Sequence, residues 1–504
     1  MAKNQLKAGA ILNYTVIVLN TLVGLVYTPY MLRMMGQSEY GLYSLVASVI
    51  AYLTVLDLGL GNAIIRYTAK YRAEGKLKEQ YELFGMFLIL YTVIAFIALI
   101  AGLLLYHNVD GLFGATMTYV ELSHAKIMML ILVFNLVFTF PMSIFGSIIT
   151  AYEHFVFPKV VNIIRITLNT IIMVVLLHYG YKAIAMVILQ TVFNVITLLL
   201  NYFYCRKILK IEIHFAKFNW LFLKEVAVYS FWIFLNVIMD RVYWSTGQFV
   251  LGAVSGTVAI SVFAVAIQLH TLYGQFSTAI SSLFLPKITS MVANNANRTE
   301  ISNLFIKTGR IQNIVMAMIL SGFIVFGKSF ILLWAGKEYQ EAYVITLLFF
   351  ISLYIPLIQN IGITVLQARN QMKFRSLLYI AIAIVALFLQ FILARAWGGV
   401  GCAIAISGAL LIGQGLIMNI YYSRVQGLDT LSFWKEILKM DIVPICMVTA
   451  FLIFTKNYEF SNWVSLALGI LSFIVVYCPL FYLFSMNKSE KELISKPILS
   501  LFKR

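Results

Sequence analysis

Fourteen apolar runs, nearly all of them long enough to cross a bilayer, follow one another along this chain. They fall at residues 10–32, 40–63, 83–105, 125–150, 156–177, 183–204, 227–251, 258–285, 311–333, 342–366, 376–394, 400–422, 442–455 and 463–485. A bilayer core about 30 Å thick needs about 20 apolar residues in a helix. Lipid offers no hydrogen bonds, so only helices and closed barrels satisfy the backbone inside it. The runs lack the alternation of barrel strands. The expectation is an all-α polytopic membrane protein of about 14 transmembrane helices, its thirteenth span the shortest. Composition agrees: of 504 residues 62% are hydrophobic and 11% charged, with a mean hydropathy of +0.91. That excludes a soluble enzyme, a disordered chain and a nucleic-acid-binding domain. Cys205, Cys402, Cys446 and Cys478 show no metal or redox spacing and read as small apolar residues.

The net charge of +17 gains meaning from its placement. Counting basic residues toward a span's end with the nearer loop, the two tails and the even-numbered loops hold 28 of the 37, the odd-numbered loops hold 7, and Arg165 and Arg241 lie near the middle of spans. Cytoplasmic loops carry the excess of lysine and arginine, so both termini are expected in the cytoplasm. Lys3 and Lys7 precede an apolar run of about 22 residues with no small-residue cleavage motif after it. This reads as a first span, not a cleaved signal.

The chain resembles itself at a spacing of about 218 residues. Leu200-Asn201-Tyr202-Phe203-Tyr204-Cys205-Arg206 matches Met418-Asn419-Ile420-Tyr421-Tyr422-Ser423-Arg424. Gly36 falls on Gly256, Gly146 on Gly362, Gly180 on Gly398, and Lys159 on Arg375. Span n therefore pairs with span n+6. Six is even, so the halves share orientation and form a parallel repeat, a design that places the substrate path at the repeat interface. The expected organisation is a six-helix bundle at 1–205, a linker at 206–225, a second six-helix bundle at 226–423, and two extra helices with a tail at 424–504. Ile211, Phe215, Phe218, Leu221 and Phe222 recur at helical spacing among lysines. The linker thus reads as an amphipathic helix on anionic lipid.

Within the first two spans, Met35-Gly36-Gln37-Ser38-Glu39-Tyr40-Gly41-Leu42, then Leu56-Asp57-Leu58-Gly59-Leu60-Gly61, then Arg66, resemble the second-helix signature of polysaccharide exporters. These are the Wzx-type flippases of lipid-linked O-antigen or capsule repeat units, grouped with MATE and MurJ-type proteins in one superfamily (MOP). The length, the span count and Pro286 closing span eight are also similar. The resemblance implies a MATE-like fold in the bacterial inner membrane. It also implies alternating-access flipping of an undecaprenyl-diphosphate oligosaccharide, with a surface-polysaccharide polymerase and glycosyltransferases as partners. The chain itself carries no phosphate-binding loop, no H-E-x-x-H and no outer segment long enough for a catalytic domain. It is read as a transporter without a cofactor, coupled if at all to Na+ or H+.

Charges inside a spanning helix cost about 2.5–3.5 kcal/mol on insertion scales and by default mark a pathway. Arg165 and Arg241 suit a diphosphate headgroup, because a guanidinium fork matches phosphate oxygens; the alternative is that they hold helices together. Asp240 is read as a cation site or as an arginine's partner. Asp57 and Arg66 suggest a gate or ion pair, against capping and packing through Gly59 and Gly61. Arg33 meets either the headgroup on release or outer lipid phosphates. Gln268, Thr271 and Gln275 on one face of span eight, beside His270, and Asn13, Asn20 and Asn236 suit sugar hydroxyls, or bond helix to helix. The rival functions are a MATE-like exporter of organic cations, a lipid II flippase, a membrane glycosyl polymerase and a scaffold for glycan enzymes.

Overall fold

The computed structural model describes residues 2–215, 220–294, 296–369, 371–456, 458, 460–492 and 495. Among them the regular structure is entirely helical, and they pack as two compact units. The first unit, residues 1–264 with 394–399, contains α1 (Ala2–Met35), α2 (Gln37–Leu53), α3 (Leu60–Ala73), α4 (Leu77–His107), α5 (Val109–Phe113), α6 (Tyr119–Ala151), α7 (Val156–His178), α8 (Ala183–Lys207), α9 (Trp220–Trp244), α10 (Thr246–Val254) and the start of α11 (Thr257–Ala293). The second unit contains the rest of α11, α12 (Arg298–Trp334), α13 (Ala342–Ile358), α14 (Asn360–Ala368), most of α15 (Lys373–Leu410), α16 (Met418–Arg424), α17 (Thr430–Phe454) and α18 (Trp463–Phe484). The units do not divide at the expected linker, since α9, α10 and the first turns of α11 pack with the first unit.

Among the described residues eleven helices are long and apolar enough to span a membrane, or twelve when α13 and α14, bent by 44°, are taken as one. The stretch Lys373–Arg424 runs for 52 residues, too many for one crossing, and it breaks at Trp397 and Gly398, where the backbone leaves helical angles. Counting that break as a turn between spans, and α9 with α10 as a span, brings the number to about fourteen. The thirteenth span is longer than its apolar run suggests, because α17 begins at Thr430, capped by the Asp429 side chain.

Each unit has a tightly packed interior. In the first, α6 is the hub, lying against α2, α3, α4 and α8. Gly102 on α4 makes that approach close: an added Cβ would stand 2.4 Å from a methyl of Val133. In the second unit α12 takes the corresponding place, against α13, α17 and α18. Phe326, Met440, Phe473, Tyr477 and Phe481 form an aromatic core there.

The expected amphipathic linker helix is not present in the residues described. Helix α8 ends at Lys207 and residues 210–215 are irregular; Lys217 and Phe218 lie outside the described residues. Lys210 turns the chain at a φ of 51°, and the Ile211 N–H then bonds the Cys205 carbonyl. Ile211 is 2% exposed. His214 donates its N–H to the Tyr81 carbonyl, and Gly85 admits the His214 carbonyl so closely that a Cβ would stand 2.1 Å from it. Among the apolar residues at helical spacing, Ile211 is buried at this turn, Phe215 is 67% exposed, and Leu221 and Phe222 already belong to α9.

The repeat reappears in the backbone. Gly36 and Gly256 have φ of 79° and 83°, and Gly180 and Gly398 of 85° and 52°. A further pair, not noticed in the sequence, is Lys210 and Gly427, at φ of 51° and 67°. Glycine takes these angles freely and other residues do so at a cost. The matched glycines therefore occupy turns that require them.

Candidate functional site

The signature around Asp57 folds as a break in the second span, not as the continuous helix expected over 40–63. Helix α2 ends at Leu53, residues Thr54–Asp57 tighten into a 3-10 turn, and α3 starts at Leu60. Between them Leu58 and Gly59 are both left-handed, at φ of 54° and 71°. Two such residues in succession cannot continue an α-helix. The Asp57 side chain stabilises the break. It accepts a 2.8 Å hydrogen bond from the Tyr91 hydroxyl of α4 and another from the Gly59 N–H. Tyr91 is fully buried and stacks on Phe140 of α6. Gly61 lets α3 approach, since a Cβ there would stand 3.3 Å from the Ser147 hydroxyl and 3.8 Å from that of Tyr91. The partner found for Asp57 is thus Tyr91, where an Asp57–Arg66 ion pair was one expectation; the Arg66 guanidinium lies 5.7 Å from the ring centre of its neighbour Tyr67. The capping-and-packing reading through Gly59 and Gly61 fits this geometry.

Helix α9 lies against α2, α3 and the 3-10 turn. Arg241 sits one turn before α9 gives way to α10, the Ser245 N–H bonding the Arg241 carbonyl. Its side chain is half-buried, yet its Nε–H is sealed from solvent with no hydrogen-bond partner among the described residues. A buried unpaired donor costs about 1–3 kcal/mol, more when charged. Asp240 is exposed, and among the described residues neither it nor Arg241 forms an ion pair. The Tyr52 hydroxyl, at the end of α2, meets that of Thr246, at the start of α10. The first unit therefore sets two helix interruptions beside each other, with Asp57, Asp240 and an uncommitted guanidinium N–H on the elements that meet there. Broken helices of this kind expose backbone dipoles and line ion and substrate sites in transporters.

The other expected residues are dispersed. Arg165 is half-buried on α7 and makes no hydrogen bond or ion pair among the described residues; Asn169, one turn on, has a buried Oδ1 without a partner. Helix α7 packs mainly on α1 and α8, and no bond joins Arg165 to Arg241. Lys159 donates to Asn13 of α1 at 2.6 Å. Arg33 and Asn20 are exposed on α1. Gln268 and Gln275 belong to the second unit, where the Gln275 Oε1 is buried and unbonded. Thr271 bonds the Ile267 carbonyl of its own helix. His270 is 9% exposed, bonds that same carbonyl and packs edge-on against Phe349, as a satisfied core histidine does. The Asn236 side chain lies outside those described.

Two charged clusters escaped the sequence reading. Arg310, assigned to a loop, is on α12 and 5% exposed. It donates to Glu490 at 2.6 and 2.9 Å and to Glu436 of α17 at 2.7 Å. One turn along α12, Asn313 meets Asp441, which lies in mid-α17. Hydropathy misses both because α12 and α17 extend about a dozen residues before their apolar runs. Elsewhere, Glu121 of α6 accepts bonds from Ser38 and Thr257, in the first turns of α2 and α11, and caps its own helix through Thr118.

Helices interrupted within apolar spans, with polar side chains held at the interruptions, mark a multi-pass membrane protein built on broken spans, an architecture that transporters use. Comparison with known proteins agrees. The model of the family described as polysaccharide biosynthesis protein matches residues 6–293. The chain belongs to that family. It is 20% identical to a putative O-antigen transporter of Shigella flexneri, over 80% of this chain and 94% of that one. It is also 20% identical to the uncharacterized membrane protein EpsK of Bacillus subtilis (strain 168), over 96% of each. In fold it is similar to the lipid II flippase MurJ in an inward closed conformation, with a TM-score of 0.70 at 19% identity, over 94% of this chain and 98% of that one. A MATE family multidrug transporter in an inward-facing conformation gives a TM-score of 0.62 at 13% identity, over 81% and 99%. The family and these relatives point to a transporter rather than a catalyst.

Proposed function

We propose that the protein flips undecaprenyl-diphosphate-linked oligosaccharide repeat units across the bacterial cytoplasmic membrane for surface polysaccharide synthesis. It works by alternating access, with both termini in the cytoplasm. The observation that carries the reading is the Arg241 guanidinium, whose buried Nε–H has no partner among the described residues, beside the broken second span. A diphosphate supplies acceptors that fit such a fork. Arg165, likewise without a bond, is the second contact proposed for the anionic headgroup or for its path. Asp57 and Asp240, carboxylates on the two interrupted spans, favour a second reading, export of organic cations.

The test is deletion of the gene, followed by assay of lipid-linked repeat units in each leaflet. Accumulation in the inner leaflet, reversed by the intact chain, supports the flippase. Unchanged repeat-unit distribution with lost efflux of cationic dyes supports the second reading.

A further inference from the structure

In the second unit, Asn313 of α12, Tyr354 of α13 and Asp441 of α17 form a closed triangle. Asn313 Nδ2 stands 2.9 Å from Asp441 Oδ1. The Tyr354 hydroxyl stands 2.8 Å from the same oxygen and also meets Asn313 Oδ1. Three polar contacts need three protons. Tyr354 has one, and the asparagine amide directs one more into the triangle. Turning the amide over does not help, because the Asn313 oxygen then faces the Asp441 oxygen instead. With Asp441 ionised, one edge in either arrangement sets two lone pairs against each other.

Among the described residues, the surroundings do not supply the missing charge. Arg310, one turn away on α12, is engaged by both oxygens of Glu490 and by Glu436, and Lys439 serves Glu436. Two cations and two anions balance there, leaving Asp441 over. The ionisable groups close to Asp441 are the Tyr273, Tyr354 and Tyr477 hydroxyls, from α11, α13 and α18, with Cys478 next to the last; α16 meets α17 through the neutral Asn419–Trp434 bond. Tyr273 is bonded to the Met316 carbonyl. Tyr477 is 2% exposed, and its hydroxyl approaches Ser321 without forming a hydrogen bond. An uncompensated carboxylate within a membrane-spanning helix is strongly disfavoured.

We propose that the Asp441–Asn313–Tyr354 triangle binds a monovalent cation, a proton on the carboxylate or a Na+ among its oxygens. A proton lets Asp441 donate along the deficient edge. A Na+ replaces that bond by coordination to the carboxylate, the amide oxygen and the Tyr354 oxygen, the hard donors such an ion takes. Either way the occupied site ties α17 to α12 and α13, and the empty one loosens it. The site lies partly on α17, outside the twelve repeated spans, and its test needs no substrate, so it stands apart from the proposed function.

The purified full-length protein in nanodiscs is unfolded thermally across pH, in choline chloride and in NaCl at equal ionic strength. For the wild type, a melting temperature that falls as pH rises in choline, unaltered by Na+, identifies the proton. A fall that Na+ reverses identifies the metal ion. Asp441→Asn adds the missing donor, so it should fold and lose the pH- or Na+-dependent shift. Tyr354→Phe removes the second claimant on the Asp441 oxygen and should shrink the shift while the protein stays folded. Wild type and Asp441→Asn with the same pH and Na+ profiles would overturn the proposal.

Discussion

The Tyr91 hydroxyl donates a 2.8 Å hydrogen bond to Asp57, joining the middle of α4 to the break in the second span. Tyr91→Phe should therefore leave the half-buried carboxylate short of a donor and lower stability by about 1–3 kcal/mol. Gly59→Ala places a side chain at a φ of 71° and should cost about 1–2 kcal/mol. Thermal unfolding in detergent measures both. If Gly59→Ala unfolds like the wild type, the left-handed turn is not what the motif requires.

Glu121 holds together the starts of three helices, through Ser38 on α2, Thr118 at the cap of α6 and Thr257 on α11. Glu121→Ala removes charge-assisted bonds and should destabilise the first unit by at least about 1.5 kcal/mol. Glu121→Gln keeps one acceptor and should lose less. Hydrogen exchange at residues 37–42 and 257–262 is the readout. An increase confined to α6 would contradict the shared role.

Arg310 is buried between two acidic partners from distant parts of the chain. Removing one side of such a network leaves a buried charge unpaired, so Arg310→Met should cost about 3–5 kcal/mol. A double change, Arg310→Met with Glu490→Leu, should recover part of that loss. Equal damage in the single and double variants would show that Glu490 is not the partner that matters.

The basic residues predict which loops face the cytoplasm. Reporters fused after Lys78, Lys217 or Lys488 should read cytoplasmic, and those at Asp110 or Lys337 should read outside. A cytoplasmic reading at Lys337 would break the alternation and with it the count of about fourteen spans.

What the sequence revealed follows from where it is periodic and where it is not. Apolar runs located nearly every span, because lipid exposure demands them. Two of the three matched glycine pairs marked turns, because only glycine takes a φ near 80° without strain; Gly146 and Gly362 lie within helices. The Asp57–Gly61 motif was visible, but its break was not, since the conformation of Leu58 depends on Tyr91, 33 residues further on. Arg310 and Asp441 were missed for a related reason. Their helices carry charge on faces that pack against other helices, and a hydropathy window averages that into the neighbouring loop. The linker differs in the opposite way: its apolar residues at helical spacing are split between an irregular turn, where Ile211 is buried and Phe215 exposed, and the start of α9.

The central claim is that Arg241 engages the anionic headgroup, and export per folded molecule tests it most directly. Repeat-unit export is measured for Arg241→Lys and Arg241→Gln, normalised to folded protein in the membrane. A charge-assisted bond to phosphate is worth roughly 1.5–3 kcal/mol, so its loss should weaken headgroup binding by roughly ten- to a hundredfold. Arg241→Lys keeps the charge without the fork and should retain part of the export; Arg241→Gln should be nearly inactive while still folded. Normal export per molecule by a well-folded Arg241→Gln variant would contradict the account.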